Sequence, residues 1–216
     1  MNVRECCLAA RADSIPVGEA GRWKIKKFTV SEEASKLNQM QNIFNGSGRY
    51  CPPGDYTGIF NGGFNPVMSD TNDELRDLHE VFSHGTGRII VNGLGLGCVV
   101  RGLLVKPSVM HIDVVEIDAD VISLVGPTFA DEPRVTIHEG DAFTFKWPKG
   151  AVWDCAWHDV WPALCVDNLS NEEHADPGTY AKLNRRYGRR VAWQGAWGHE
   201  LLKSQQRQEN RRTGWF

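Results

Sequence analysis

Between Arg88 and Val105 an apolar run, Ile89-Ile-Val91, passes into three glycines at every second position, Gly93, Gly95 and Gly97, and an apolar segment resumes at Cys98. The pattern predicts a strand, a tight turn and a helix start. Glycine suits such a turn because it adopts backbone angles closed to other residues, and because a missing Cβ lets a bulky ligand lie against the main chain. The free N–H groups at the helix start then face that ligand. Glycine-rich turns also occur as plain loops, so the turn by itself selects no ligand.

From Arg88 the segments alternate in kind, as a parallel sheet with crossover helices requires. Strands are predicted at 88–92, 111–117, 134–138 and 152–157, with helices at about 96–105 and 118–125. Each strand ends at a polar residue on one sheet edge, where open α/β sheets place ligands. After Asp159 the alternation stops. Tyr180, Leu183, Tyr187 and Val191 form a helical stripe, roughly extended by Trp197 and Leu201, while Gly188, Gly195 and Gly198 would each cost about 1 kcal/mol in a helix interior. One kinked helix or two are expected there, with a loose tail from Gln208. The sheet therefore lacks an obvious fifth to seventh strand, and the N-terminal hairpin or a second subunit is expected to complete it.

Upstream, residues 1–22 show no period and read as an irregular arm, and Trp23–Val30 as a strand. Ser31 can cap a helix carrying Leu37, Met40 and Phe44 on one face, ending near Asn45-Gly46. Asn61-Gly62 between two apolar runs predicts a β-hairpin over 56–68. Thr71-Asn-Asp-Glu74 has capping-box spacing and predicts a helix over 72–84. The fold class expected is α/β: a Rossmann-like, doubly wound, mainly parallel sheet, C-terminally truncated, with a small N-terminal helix and β-hairpin extension. The divisions are 1–70 for the extension, 71–165 for the nucleotide-binding core and 166–216 for a C-terminal helical segment.

A length of 216 residues suits one domain, or one with an appendage. The net charge of −3 and pI near 6.2 argue against a dedicated nucleic-acid binder, though not against a local basic patch. The arginines and lysines dense after residue 184 read as a solvated face. Six cysteines without a CxxC pair read as reduced thiols, which places the chain in the cytoplasm. No run approaches the roughly eighteen apolar residues of a membrane span. His84, His111, His138, His174 and His199 show no metal-ligand spacing, and no metal is expected.

Glu116 ends the second strand, 23 positions past Gly93, where a doubly wound fold puts the acid that accepts hydrogen bonds from ribose hydroxyls. Nicotinamide dinucleotides and S-adenosyl-L-methionine both carry such a ribose. Three details favour the second. Cys98 stands where a dinucleotide fold has its third Gly or Ala, and would crowd a pyrophosphate. Asp141, with the small Ala142 beside it, follows strand three, where a carboxylate can hold an adenine amino group. Asp159 ends strand four, near the reacting end of the ligand.

In Val91-Asn-Gly-Leu-Gly-Leu-Gly97, Val114-Val-Glu-Ile-Asp118, Glu139-Gly-Asp-Ala142 and Trp153-Asp-Cys-Ala-Trp-His-Asp159 the chain resembles the class I methyltransferase superfamily, and within it the spermidine-synthase-like branch. The likeness covers roughly residues 56–162. It implies S-adenosyl-L-methionine as cofactor, held by Asn92, Gly93, Gly95, Gly97, Glu116, Ile117, Asp141 and Ala142. It also implies that Asp159 binds or deprotonates the attacking group. Asn92 stands where many relatives have an acid, and Val160-Trp-Pro162 replaces the acid-containing run that would grip a polyamine. His158, Trp161 and His79 are candidates for the substrate pocket.

The function expected is a small S-adenosylmethionine-dependent methyltransferase, with a small-molecule or otherwise unidentified acceptor. The alternatives are an aminopropyltransferase acting on decarboxylated cofactor and a non-catalytic nucleoside-binding domain, with a nicotinamide enzyme more distant. Eight tryptophans and a curtailed sheet edge are compatible with a homodimer.

Overall fold

The computed structural model describes residues 2–44, 50–161 and 179–213. The expected irregular arm begins instead with a helix, α1 (Val3–Ala9). Its start is fixed by a reciprocal capping box: Asn2 Oδ1 accepts from the Glu5 N–H at 3.0 Å, and the Glu5 carboxylate accepts from the Asn2 N–H at 2.9 Å. That Asn-x-x-Glu spacing was the signal for a helix too short to show a period. Cys6 on its inner face is buried.

β1 (Gly18–Ala20), β2 (Trp23–Val30), β3 (Gly54–Asn61) and β4 (Met68–Ser69) form an antiparallel sheet in that order. Between β2 and β3 lies α2 (Glu32–Phe44), where the Ser31 hydroxyl accepts from the Ala34 N–H. Its stripe points outward at Leu37 and Met40, both exposed. The hairpin forms with a different connection. Gly58 pairs with Ser69 and Ile59 with Met68, so residues 62–67 make the loop where a two-residue turn was expected. Phe64 is fully exposed there and Pro66 has no N–H for a ladder, which confines the second strand to two residues.

The single helix expected over 72–84 is two, α3 (Asn72–Asp77) and α4 (His79–His84), broken at Leu78 with φ −86° and ψ 0°. The break lets Leu75, Leu78, Val81 and Phe82 all reach the core. Thr71 makes no capping bond through its side chain. The Glu74 carboxylate turns back to accept from Ser69, at 2.7 Å from its N and 2.6 Å from its Oγ.

The second sheet contains β5 (Gly87–Asn92), β6 (Val109–Glu116), β7 (Val135–Glu139), β8 (Trp153–His158) and β9 (Val191–Ala196), all parallel in the order β7-β6-β5-β8-β9. Helices α5 (Cys98–Leu104) and α6 (Ala119–Val125) carry the first two crossovers. The 140–152 stretch carries the third without a helix. After β8, α7 (Tyr180–Tyr187) leads into β9, and α8 (His199–Thr213) follows.

β9 corrects the reading of 180–201 as helix, and with it the missing fifth strand. Gly188, costly in a helix, precedes a six-residue strand and Gly195 lies within it; the helical stripe was real only up to Tyr187. The sheet is not completed by the hairpin, which belongs to the other sheet. The stretch past Gln208 is helical through Thr213 rather than loose. Cys165 and His174 lie outside the described residues.

Strand alternation divides the core between the two faces. Ile89, Val91, Ile112, Val114, Cys155 and Trp157 face α1, α4, α5 and α6. Ile90, Val115 and Ala156 face Leu183 and Tyr187 of α7, and Trp153, at the start of β8, packs with them out of alternation. The strand order reverses between β5 and β8, which is the topological switch point where open α/β sheets bind ligands.

Candidate functional site

At this switch point the ends of β5 and β8 are held together: the Asp159 N–H donates to the Asn92 carbonyl at 2.8 Å. Gly93 follows with φ +99°, and a Cβ there would stand 2.0 Å from the Asp159 carbonyl oxygen. Gly95 and Gly97 also take positive φ, where a Cβ would meet the Met68 sulfur at 2.5 Å and the Phe129 ring at 2.7 Å. The turn therefore needs its glycines for backbone angle and for protein atoms packed against it. Its N–H groups are largely engaged: Leu94 donates to Glu116 Oε2 at 2.7 Å, Leu96 to the Met68 sulfur at 3.3 Å, and Gly97 to the Leu94 carbonyl. Cys98 begins α5 fully buried, its thiol pushed up by desolvation.

Glu116 is buried at the end of β6, and its other oxygen accepts from the Asp118 N–H at 2.9 Å. Each oxygen retains one acceptor site, since an ionised carboxylate offers about four. Asp118 caps α6, accepting from the Asp120 N–H, and receives the Trp23 indole N–H at 2.6 Å. Ile117 is exposed between them. Beyond β7, Asp141 closes its own turn, accepting from Phe143 N at 2.8 Å and Thr144 Oγ1 at 3.2 Å, while Ala142 is buried against the α7 face. Register pairs Glu116 with Glu139 and Asn92 with both Val115 and His158, so these strand ends share one edge.

The Asp159 carboxyl is pushed up to about 7, chiefly by burial and then by the negative charges of Glu74, Glu116 and Asp77. Glu74 and Asp77 reach it from α3. They were not among the expected site residues: Glu74 read as part of a capping box, and no sequence signal singled out Asp77. Carboxylates whose charges raise one another in this way stabilise a cation placed among them.

His158 points away from that acid cluster, as neighbours on a strand must. Fully buried on the α7 face, its Nδ1 lies 2.7 Å from Asn92 Nδ2 and its Nε2 3.1 Å from Gln194 Oε1. Tyr187 Oη lies 3.2 Å from Asn92 Oδ1. Burial is the main force holding His158 down at about 4, so it is neutral. Asn92 is thus committed to a buried network and His158 to structure, where a pocket role was expected. Trp161 packs half-buried against the same cluster as Tyr187. His79 is exposed at the start of α4. Trp157 stacks on Trp193 with centroids 6.5 Å apart, inside the core.

No protein-family model matches the chain. Ribosomal RNA small subunit methyltransferase A of Pseudomonas syringae pv. syringae is 40% identical over 68 residues, 32% of this chain and 25% of that protein. The protein of the same name from Pseudomonas aeruginosa is 36% identical over 70 residues, again 32% of this chain and 25% of the relative. The chain thus spans about a quarter of the length of these relatives. Among solved structures, an S-adenosylmethionine-dependent methyltransferase from Clostridium acetobutylicum is similar with a TM-score of 0.38 at 10% identity, over 53% of this chain and 43% of that one. These matches correct the expectation set against a nucleic-acid partner, since the relatives are named for ribosomal RNA. A net charge of −3 averages over a chain whose arginines crowd onto α7 and the turn after it.

Proposed function

We propose that the chain binds S-adenosyl-L-methionine at the edge where β5, β6, β7 and β8 end, and transfers its methyl group to an RNA acceptor. The observation that carries the reading is the acid at the switch point: Asp159 is tied to the strand end before the glycine turn, and its carboxyl is raised by burial and by the negative charges of Glu74, Glu116 and Asp77. These residues suit the group by charge, because the ligand is a sulfonium and also bears an ammonium. The similarity to ribosomal RNA methyltransferases supports RNA as the acceptor class.

The cofactor, when bound, supplies a methyl already activated by the positive sulfur. What remains for the protein is to exclude water, orient the acceptor and take up its proton. Glu116 holds Leu94 and Asp118 by their N–H groups and keeps acceptor sites for ribose hydroxyls, while Asp141 stands at the adenine end. Asp159, titrating near 7, is matched to accept a proton from a nucleophile at neutral pH.

Calorimetry with S-adenosylhomocysteine and transfer of tritium from methyl-labelled cofactor to unmethylated small-subunit ribosomal RNA test the reading. Binding in the micromolar range, RNA labelling, and loss of turnover in Asp159→Asn are expected; failure to bind the nucleoside sinks it. A second reading, aminopropyl transfer, rests on the spermidine-synthase-like spacing of Trp153 to Asp159. It would require tighter binding of the decarboxylated cofactor.

A further inference from the structure

A second concave surface lies away from the acid cluster. Between the 142–152 crossover and α7 runs a cleft of about 660 Å³ with Phe145 and Trp147 on one side and Arg185, Arg186, Tyr187 and Arg190 on the other; Lys146 stands at the rim. Among the described residues its lining carries four cationic side chains and no acid. In a chain of net charge −3 this is a local excess of positive charge among the described residues.

Two of the arginines are built in. Arg186 donates through one terminal nitrogen to the Phe145 carbonyl, and its buried Nε has no partner among the described residues. Arg190 donates to the Ala151 carbonyl at 3.1 Å. A guanidinium has five N–H groups, so one bond each fixes the fork and leaves donors for an oxyanion. Arg185 and Lys146 are exposed and make no ion pair among the described residues. Anchored arginines beside half-buried aromatic rings form the surface that single-stranded nucleic acid prefers, with cations for the phosphates and π faces for the bases.

We infer that this cleft holds the phosphodiester backbone of the RNA acceptor, an inference that rests on the function proposed above. Tyr187 joins cleft and site: its ring lines the cleft while its hydroxyl reaches Asn92, the residue directly before the glycine turn. The cleft thus lies on the α7 face of the sheet, with Arg190 beside the start of β8, and meets the candidate site at the far strand ends through Tyr187. A peptide or lipid headgroup shares the need for an anion but not the aromatic wall with regularly placed charge.

The test is fluorescence anisotropy with a fluorescein-labelled RNA hairpin bearing a single-stranded tail, titrated at several salt concentrations. The variant is K146Q/R185Q, and R4Q/K36Q, with the same change in net charge at exposed positions elsewhere, is the control. Trp147 is left intact because it packs on His138, Phe145 and Trp153. K146Q/R185Q should weaken binding roughly tenfold and lower the log–log salt slope by about 1.4, or about 0.7 for each lost phosphate contact, whereas the control keeps both. Its affinity for S-adenosylhomocysteine should equal that of the parent. Unchanged RNA affinity and slope in K146Q/R185Q, an equal loss in the control, or binding to anionic phosphatidylglycerol vesicles in place of RNA would overturn the cleft while leaving methyl transfer standing. A parent protein that binds no S-adenosylhomocysteine defeats the underlying reading instead.

Discussion

Asn92 Nδ2 lies 2.7 Å from His158 Nδ1, with both side chains fully buried at the paired ends of β5 and β8. The direction of this bond follows from its surroundings. Asn92 Oδ1 accepts from Tyr187, so the amide nitrogen faces the ring and donates to Nδ1, which places the imidazole proton on Nε2, aimed at Gln194 Oε1. The network is complete only while His158 is neutral, since a proton on Nδ1 would set donor against donor.

Asn92→Asp tests that account directly. A carboxylate at 92 can still accept from Tyr187, and would now favour a proton on Nδ1. The imidazole titration, followed by NMR, should move from about 4 to above its ordinary 6.5. A His158 that continued to titrate near 4 in this variant would refute the assigned direction of the bond.

His158 and its neighbour Asp159 pull the pH dependence of stability in opposite directions. His158 falls from 6.5 to about 4 on folding, so between those values the unfolded chain binds the extra proton and stability drops as pH is lowered. Asp159 rises from 3.8 to about 7, so the folded chain binds the extra proton and stability drops as pH is raised through that window. Between pH 4 and 6.5 the two slopes cancel. Urea denaturation across this range should show Asp159→Asn losing on the order of 3 kcal/mol of stability toward pH 4, relative to its value at 6.5, while the parent stays nearly flat as far as these two groups are concerned. Parallel pH profiles for parent and variant would remove the argument.

The glycines differ sharply in what they support. Gly93→Ala would drive a Cβ to within 2.0 Å of the Asp159 carbonyl at φ +99°, and both partners are backbone, so neither can yield. Loss of more than 4 kcal/mol, or no folded protein at all, is expected. Gly62→Ala meets nothing within 4 Å at φ +71° and should cost only about 1–2 kcal/mol of left-handed strain. Equal thermal shifts for the two variants would mean that the close approach of β5 and β8 is not what makes Gly93 necessary.

The parts of this fold legible in the sequence are those whose local signal and tertiary role coincide. The strand at 88–92, its glycine turn and the strands ending at Glu116, Glu139 and His158 were readable because buried parallel strands are continuous apolar runs between turn residues. Val191–Ala196 was not, because a six-residue strand directly after a helical stripe extends that stripe by chance at Val191 and Trp197. Gln194 was hidden with it. Glu74 looked like a cap because spacing reports a capping box without reporting which way the carboxylate turns; its bond to Ser69 depends on where β4 lies. Asn92 was read at the cofactor, and only the face assignment of β5 shows that its amide is spent on His158 and Tyr187.

The acid cluster makes one further prediction about the proposed ligand. With its carboxyl raised to about 7, Asp159 is partly protonated at pH 7, chiefly because burial and then the charges of Glu74, Glu116 and Asp77 disfavour its anion. A positive charge entering the cluster offsets that repulsion and expels the proton. S-adenosyl-L-methionine carries its charge on sulfur, whereas S-adenosylhomocysteine has a neutral thioether in the same place. Calorimetric titrations in buffers of different ionisation enthalpy should therefore register release of about half a proton with the sulfonium and distinctly less with the thioether. In Asp159→Asn the difference between the two ligands should vanish. If both ligands release the same number of protons from the parent protein, the charge on sulfur does not lie among these carboxylates, and Asp159 is not the group facing it.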